Sequence, residues 1–138
     1  MTPALLIVGA SIFGLLGIVH GWYTFRDSQN PRRLVPDSRA VLEAMKTTDL
    51  RLSRGGTTVW KAWLGFNYSH TLGLLMFAIG CISFALSLHA LAPPKAILLI
   101  PVAVGATYLW LAVRYWFRVP ALGVAIGTLC LLAAWLTY

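Results

Sequence analysis

WLGFNYSHTLGLLMFAIGCISFALSLHAL, residues 63–91, runs for 29 residues without an Asp, Glu, Lys or Arg. A helix rises about 1.5 Å per residue, so about 20 apolar residues cross the hydrocarbon core of a bilayer. This stretch is long enough to span, and it is far too long for a buried strand. Three further apolar segments, 4–25, 96–117 and 121–138, satisfy the same criterion, the last by the narrowest margin. The sequence therefore predicts an all-α integral membrane protein, a bundle of four transmembrane helices forming one domain over 1–138. The spans are joined by one long loop, 26–62, and two short links.

Composition agrees. Of 138 residues, 59% are hydrophobic and 11% are charged, against about 25% charged in an ordinary soluble domain. The formal charge of +7 would suggest nucleic acid in a soluble chain. No groove-reading motif accompanies it here, so nucleic-acid binding is set aside. The distribution of charge is more telling. Arg26, Arg32, Arg33, Arg39, Lys46, Arg51, Arg54 and Lys61 lie in the long loop, and Arg114 and Arg118 close the third span on the same side. Lys95 stands alone on the other side, a ratio of ten to one. By the positive-inside rule the loop is cytoplasmic and both termini lie outside the cytoplasm, in a cell inner membrane. The first span has no preceding Lys or Arg and no small-residue cleavage site, and it reads as a retained helix.

The loop carries structure of its own. Asp37 or Ser38 can cap a helix with apolar positions Val41, Leu42, Met45 and Leu52, ended by Gly55 and Gly56. Charged residues surround these positions, which predicts a short amphipathic helix on the cytoplasmic interface. Pro101 falls inside the third segment, where a kink is tolerated if neighbours satisfy the freed carbonyl. Pro120 suits the first turn of the fourth. Gly14, Gly17 and Gly21, then Gly65, Ser69 and Gly73, then Gly123 and Gly127 are spaced for close helix approach, serving bundle packing or a homo-oligomer. Cys81 and Cys130 each stand alone and read as small packing residues.

Ionisable side chains within spans are expensive, and by default they mark a functional site. His20, His70 and Arg114 are such residues, and Asn67 is an uncharged polar residue in the same setting. At about 1.5 Å per residue, His20 lies about 9 Å inside Arg26, His70 about 13 Å inside Lys61 and Arg114 about 6 Å inside Arg118. All four therefore belong to the cytoplasmic half. Trp63, Asn67, His70 and Leu74 follow the spacing of one helix face, with Ser69 on its border. Phe13, Gly17, His20 and Thr24 align on the first span, and Thr107, Trp110, Arg114 and Phe117 on the third. A ligand-binding set of Asn67, His70, His20, Arg114, Trp63, Trp110 and Ser69 follows, open to the cytoplasm. The leading reading is a pocket for a membrane lipid or other lipophilic small molecule, with Arg114 pairing an anionic oxygen. The alternatives are an enzyme using His70 or His20 as catalytic acid or base on a lipophilic substrate, and an accessory subunit of a larger membrane complex. No cofactor is expected. Haem on two histidines is the weakest of the chemistries weighed, and no metal site is read because no acid accompanies the histidines.

The run Gly65-Phe66-Asn67-Tyr68-Ser69-His70-Thr71-Leu72-Gly73, with His20 and Gly21 before the basic loop, resembles a G-F-N-x-S-H-x-L-G motif of small bacterial four-span membrane proteins. The layout is also similar, at fold level, to DoxX-like small four-helix membrane proteins. The resemblance implies the four-span fold and singles out these positions. It implies no reaction.

Overall fold

The computed structural model describes every residue, Met1–Tyr138. Helix α1 is Thr2–Gln29, α2 is Arg39–Thr47, α3 is Val59–Leu91, α4 is Leu99–Tyr115 and α5 is Arg118–Leu136, with a 3-10 turn at Lys95–Leu98 leading into α4. Four helices are long and apolar enough to cross a membrane: Thr2–Gln29, Val59–Leu91, the Lys95–Tyr115 segment and Arg118–Leu136. The fold is an all-α four-helix bundle, the architecture of a multi-pass membrane protein.

The chain packs as two compact units. The first comprises Met1–Leu16 and Leu74–Tyr138, and the second Gly17–Gly73. Helices α1 and α3 contribute to both.

The first unit draws segments from all four long helices around Leu6, Phe13, Leu74, Leu88, Leu98, Val124 and Leu131. Phe13 is fully buried and meets Phe77 edge-on at 5.0 Å and Tyr108 at 5.9 Å between ring centroids. Small residues set the helix spacing. A Cβ on Gly9 would lie 2.9 Å from the Gly127 carbonyl oxygen, and one on Gly127 would lie 2.8 Å from Phe13 Cε2. One on Gly105 would meet Thr128 Oγ1 at 2.9 Å. Lipid is as apolar as leucine, so close backbone approach and tight packing must hold these helices together. The packing reading of Gly14, Gly123 and Gly127 thus agrees with the contacts they make. At one end of the unit, Lys95 Nζ donates to the Leu136 carbonyl at 3.3 Å and the Tyr138 hydroxyl to the Pro93 carbonyl at 2.8 Å.

The second unit holds the end of α1, the long loop with α2, and the start of α3. Its loop is organised by Asp27, which is 0% exposed. One carboxylate oxygen accepts the Arg32 N–H at 2.8 Å and the other the Leu34 N–H at 2.6 Å. The Arg33 N–H reaches both, at 3.1 and 3.3 Å. A carboxylate can be buried without a cation when N–H groups saturate it. Pro31 and the turn that follows are thereby folded back onto the end of α1.

Three sequence expectations are corrected here. Helix α2 ends at Thr47, well before Gly55, and Leu52 is not part of it. Neither Asp37 nor Ser38 caps it: Ser38 stands at the N-cap position but its side chain makes no capping bond. The residues after Thr48 leave the helix because they form a turn of their own, closed by an antiparallel bridge between Asp49 and Thr58. Pro101 falls in the first turn of α4, where its missing N–H costs no intrahelical bond. Gly65 and Ser69 do not pack within the chain, because Gly65 has nothing within 4 Å of its would-be Cβ and Ser69 is exposed.

Candidate functional site

Asp27, Thr24, Gly17 and half-buried His20 share one face of α1. Trp60, Asn67 and half-buried His70 share one face of α3. In the second unit these two faces meet. The His20 and His70 rings stand 5.1 Å apart between centroids at 74°, edge to face. They come from helices separated by the whole basic loop, so only tertiary packing makes them neighbours.

The residues around the two rings satisfy their own helices. Thr24 Oγ1 donates to the His20 carbonyl at 3.0 Å, an i to i−4 bond that satisfies the hydroxyl within its own helix. Asn67 is buried. Its Nδ2 donates to the Trp63 carbonyl at 2.8 Å. The amide is thereby tied to its own helix. Phe66 lies nearly parallel to His70, 6.5 Å away at 16°. Gly21 allows the approach, since a Cβ there would lie 2.7 Å from Thr71 Cγ2.

Thr71 is the residue that sequence reasoning missed. Its Oγ1 is buried and has no hydrogen-bond partner. Thr24, Thr107, Thr128 and Thr137 all return their hydroxyls to the i−4 carbonyl, as helical threonines can. Thr71 does not. Its position beside His70 was the available signal, and burial of a single atom cannot be read from spacing.

Of the other expected members, Trp63 and Ser69 lie in the second unit and Arg114 and Trp110 in the first. Trp63 is half-buried and stacks on Trp60 at 5.1 Å and 10°, one turn before Asn67. Ser69 is exposed and donates to the Phe66 carbonyl at 2.9 Å. Arg114 and Trp110 belong to the first unit. Both are exposed, with the Arg114 guanidinium 5.4 Å from the Tyr115 ring centroid and Trp110 edge-on to the same ring at 6.0 Å. The stripe Thr107, Trp110, Arg114 and Phe117, expected to face inward, is exposed throughout. The reason is that α4 buries its small residues Pro101, Gly105 and Ala112, and the aromatic side turns outward.

What the second unit brings together is thus the His20 and His70 rings, with buried Asn67 on the same face of α3 as His70 and Thr71 packed against Gly21, next to His20 in the chain. The set contains hydrogen-bonding groups and no Lys, Arg, Asp or Glu. It suits an uncharged polar head better than a phosphate. The edge-to-face contact bears on haem, because a porphyrin held diaxially between the two imidazoles would have to part them. No group of three or more His, Cys, Asp or Glu side chains comes together in a metal-binding arrangement. The first unit carries a separate groove of about 360 Å³ on its own surface, lined by Met76, Gly80, Phe84, Ile97, Ile100 and Val104. It offers hydrocarbon contact and no polar chemistry. Comparison with family models, with curated proteins and with solved structures finds no match.

Proposed function

We propose that the chain is an integral protein of the cell inner membrane, with the 26–62 loop cytoplasmic, that binds a lipid or other lipophilic small molecule by its polar head. His20, His70 and Asn67 hold that head, and Thr71 adds a hydroxyl. The observation that carries this reading is the ring contact between His20 and His70 at 5.1 Å. Two imidazoles and an amide inside apolar helices are costly to keep, and helix fastening needs only one such group. The neutral donor set suits a carbonyl or hydroxyl head on an apolar body.

The test is native mass spectrometry of the full chain released from lipid nanodiscs. The wild type should retain a lipophilic molecule. His70→Ala should retain several-fold less of it, while His89→Ala, changed at an exposed position near the other end of α3, should retain as much. Equal retention in all three would sink the reading.

A second reading rests on the same contact. One imidazole of an adjacent pair can donate a proton while the other accepts one, which suits proton transfer on a lipophilic substrate. A retained molecule that is chemically converted by the wild type and returned unchanged by His20→Gln would favour the enzyme.

A further inference from the structure

The most exposed large apolar side chain of the protein is not on a membrane-spanning helix. Leu52 is 94% exposed, more than the chain's first residue, Met1, at 83%. It sits in the turn between α2 and α3, with exposed Arg51 on one side and exposed Arg54 two positions on. Isolated exposed leucines are common and need no explanation. This one stands on a built platform.

The platform is closed at its base by the Asp49 to Thr58 bridge. The Leu50 N–H donates to the Thr57 carbonyl at 3.0 Å and the Val59 N–H to the Thr48 carbonyl at 2.9 Å. Ser53 ties the tip. Its hydroxyl lies 2.9 Å from the Leu50 carbonyl and 3.1 Å from the Thr57 carbonyl, and it accepts the Thr57 N–H at 3.2 Å. Arg54 is held at φ 47°, followed by Gly55 at φ 93°. A left-handed conformation is common for glycine and unusual for arginine. Such backbone persists only where the surroundings fix it. The turn is therefore an ordered feature that displays an apolar tip between two guanidinium-bearing residues.

Charge decides what the tip can meet. Within 26–61 there are eight Lys and Arg against Asp27, Asp37, Glu43 and Asp49. Asp27 is buried under backbone N–H groups, and Glu43 and Lys46 offset each other at 2.9 Å, which leaves seven Lys and Arg against Asp37 and Asp49. The exposed face of the loop is strongly positive. The loop is joined at both ends to helices long and apolar enough to cross a membrane, so a lipid surface is always at high local concentration. Basic residues beside an apolar side chain are the pattern of attachment to anionic lipid, the cations meeting phosphates and the leucine entering the region beneath them.

We infer that the 49–58 turn is a membrane-surface anchor, with Leu52 seated among the headgroups of anionic lipids and Arg51 and Arg54 on their phosphates. This site is distinct from the histidine pair and stands whether or not that pair binds a ligand.

The experiment places a cysteine at Leu52 in a full chain carrying Cys81→Ala and Cys130→Ala, and labels it with an environment-sensitive fluorophore. The protein is reconstituted in nanodiscs of phosphatidylcholine alone or of equal parts phosphatidylcholine and phosphatidylglycerol. In the anionic discs the label should shift to the blue, and quenching by aqueous iodide should fall several-fold. Both effects should vanish in Arg51→Gln with Arg54→Gly, which removes the charges and keeps a residue suited to the turn. They should weaken at about 1 M salt, where the screening length drops to about 3 Å. A label that stays iodide-accessible in both discs overturns the proposal and leaves the tip to water or to a protein partner. A label equally buried in phosphatidylcholine alone overturns it as well, because anionic lipid would then have no part.

Discussion

Thr71 makes the sharpest argument at the scale of one residue. A buried hydroxyl without a partner costs about 1–3 kcal/mol relative to a satisfied one, and the neighbouring i−4 carbonyl that serves other helical threonines goes unused here. Thr71→Val keeps the branched shape and removes the hydroxyl. In ligand-free protein the change should raise the thermal midpoint. Retention of the lipophilic molecule by native mass spectrometry should fall at the same time. Raised stability with unchanged retention would leave the hydroxyl as a packing defect and remove it from the site. Asp27 shows the opposite solution to the same problem: it is fully buried, yet backbone N–H groups meet both of its oxygens. The histidines and Asn67 were legible as site candidates because polar residues stand out in an apolar run. Thr71 and Asp27 were not, since threonine is unremarkable in a membrane helix and Asp27 reads as one more loop charge.

At the scale of the element, the four long helices follow from the apolar runs, and their faces follow from which positions carry small or polar residues. Helix α1 buries Leu6, Ala10, Phe13, Thr24 and Asp27 at helical spacing, and α3 buries Trp60, Asn67, Leu74, Ala78, Cys81, Ala85 and Leu88. Glycine decides how closely these faces approach. Gly127→Ala should lower the thermal midpoint measurably, by an overpacking cost of about 1–3 kcal/mol, because the new methyl would lie 2.8 Å from Phe13. Gly65→Ala, with nothing within 4 Å, should lose no stability, since alanine is the better helix former. Thermal unfolding of both variants in the same detergent compares them directly. Equal losses would mean that the Gly9, Phe13 and Gly127 contact does not hold the first unit together. Helix α4 misled the sequence reading for a related reason. An aromatic and polar stripe there suggested an inward face, but the small residues won the interface and Arg114 was left exposed.

At the scale of the whole molecule, the ten-to-one bias of Lys and Arg predicts a cytoplasmic 26–62 loop. In a background of Cys81→Ala and Cys130→Ala, a cysteine replacing exposed Ser38 should be shielded from an impermeant thiol reagent in intact cells. One replacing exposed Ala96 should react, and the reverse pattern would invert the topology. The sequence alone determined the class and number of the helices, because bilayer thickness imposes a minimum apolar length that can be counted along the chain. It marked the stripe Phe13, Gly17, His20 and Thr24 on α1 and the stripe Trp63, Asn67, His70 and Leu74 on α3, because polar and small residues stand out at helical spacing, but it also offered Gly65 and Ser69 as a packing face, and they face outward. It placed His20, Asn67 and His70 among the candidates, because polarity in an apolar run is a local anomaly. What packing alone set is that the His20 and His70 rings meet, that the Thr71 hydroxyl is buried without a partner and that Arg114 and Trp110 belong to another unit. It also decided that residues 49–58 form a turn and not the end of an amphipathic helix. Those outcomes depend on which helix faces pair and on hydrogen bonds between residues far apart or locked by a side chain such as Ser53. Interactions between segments leave no period in the sequence to read.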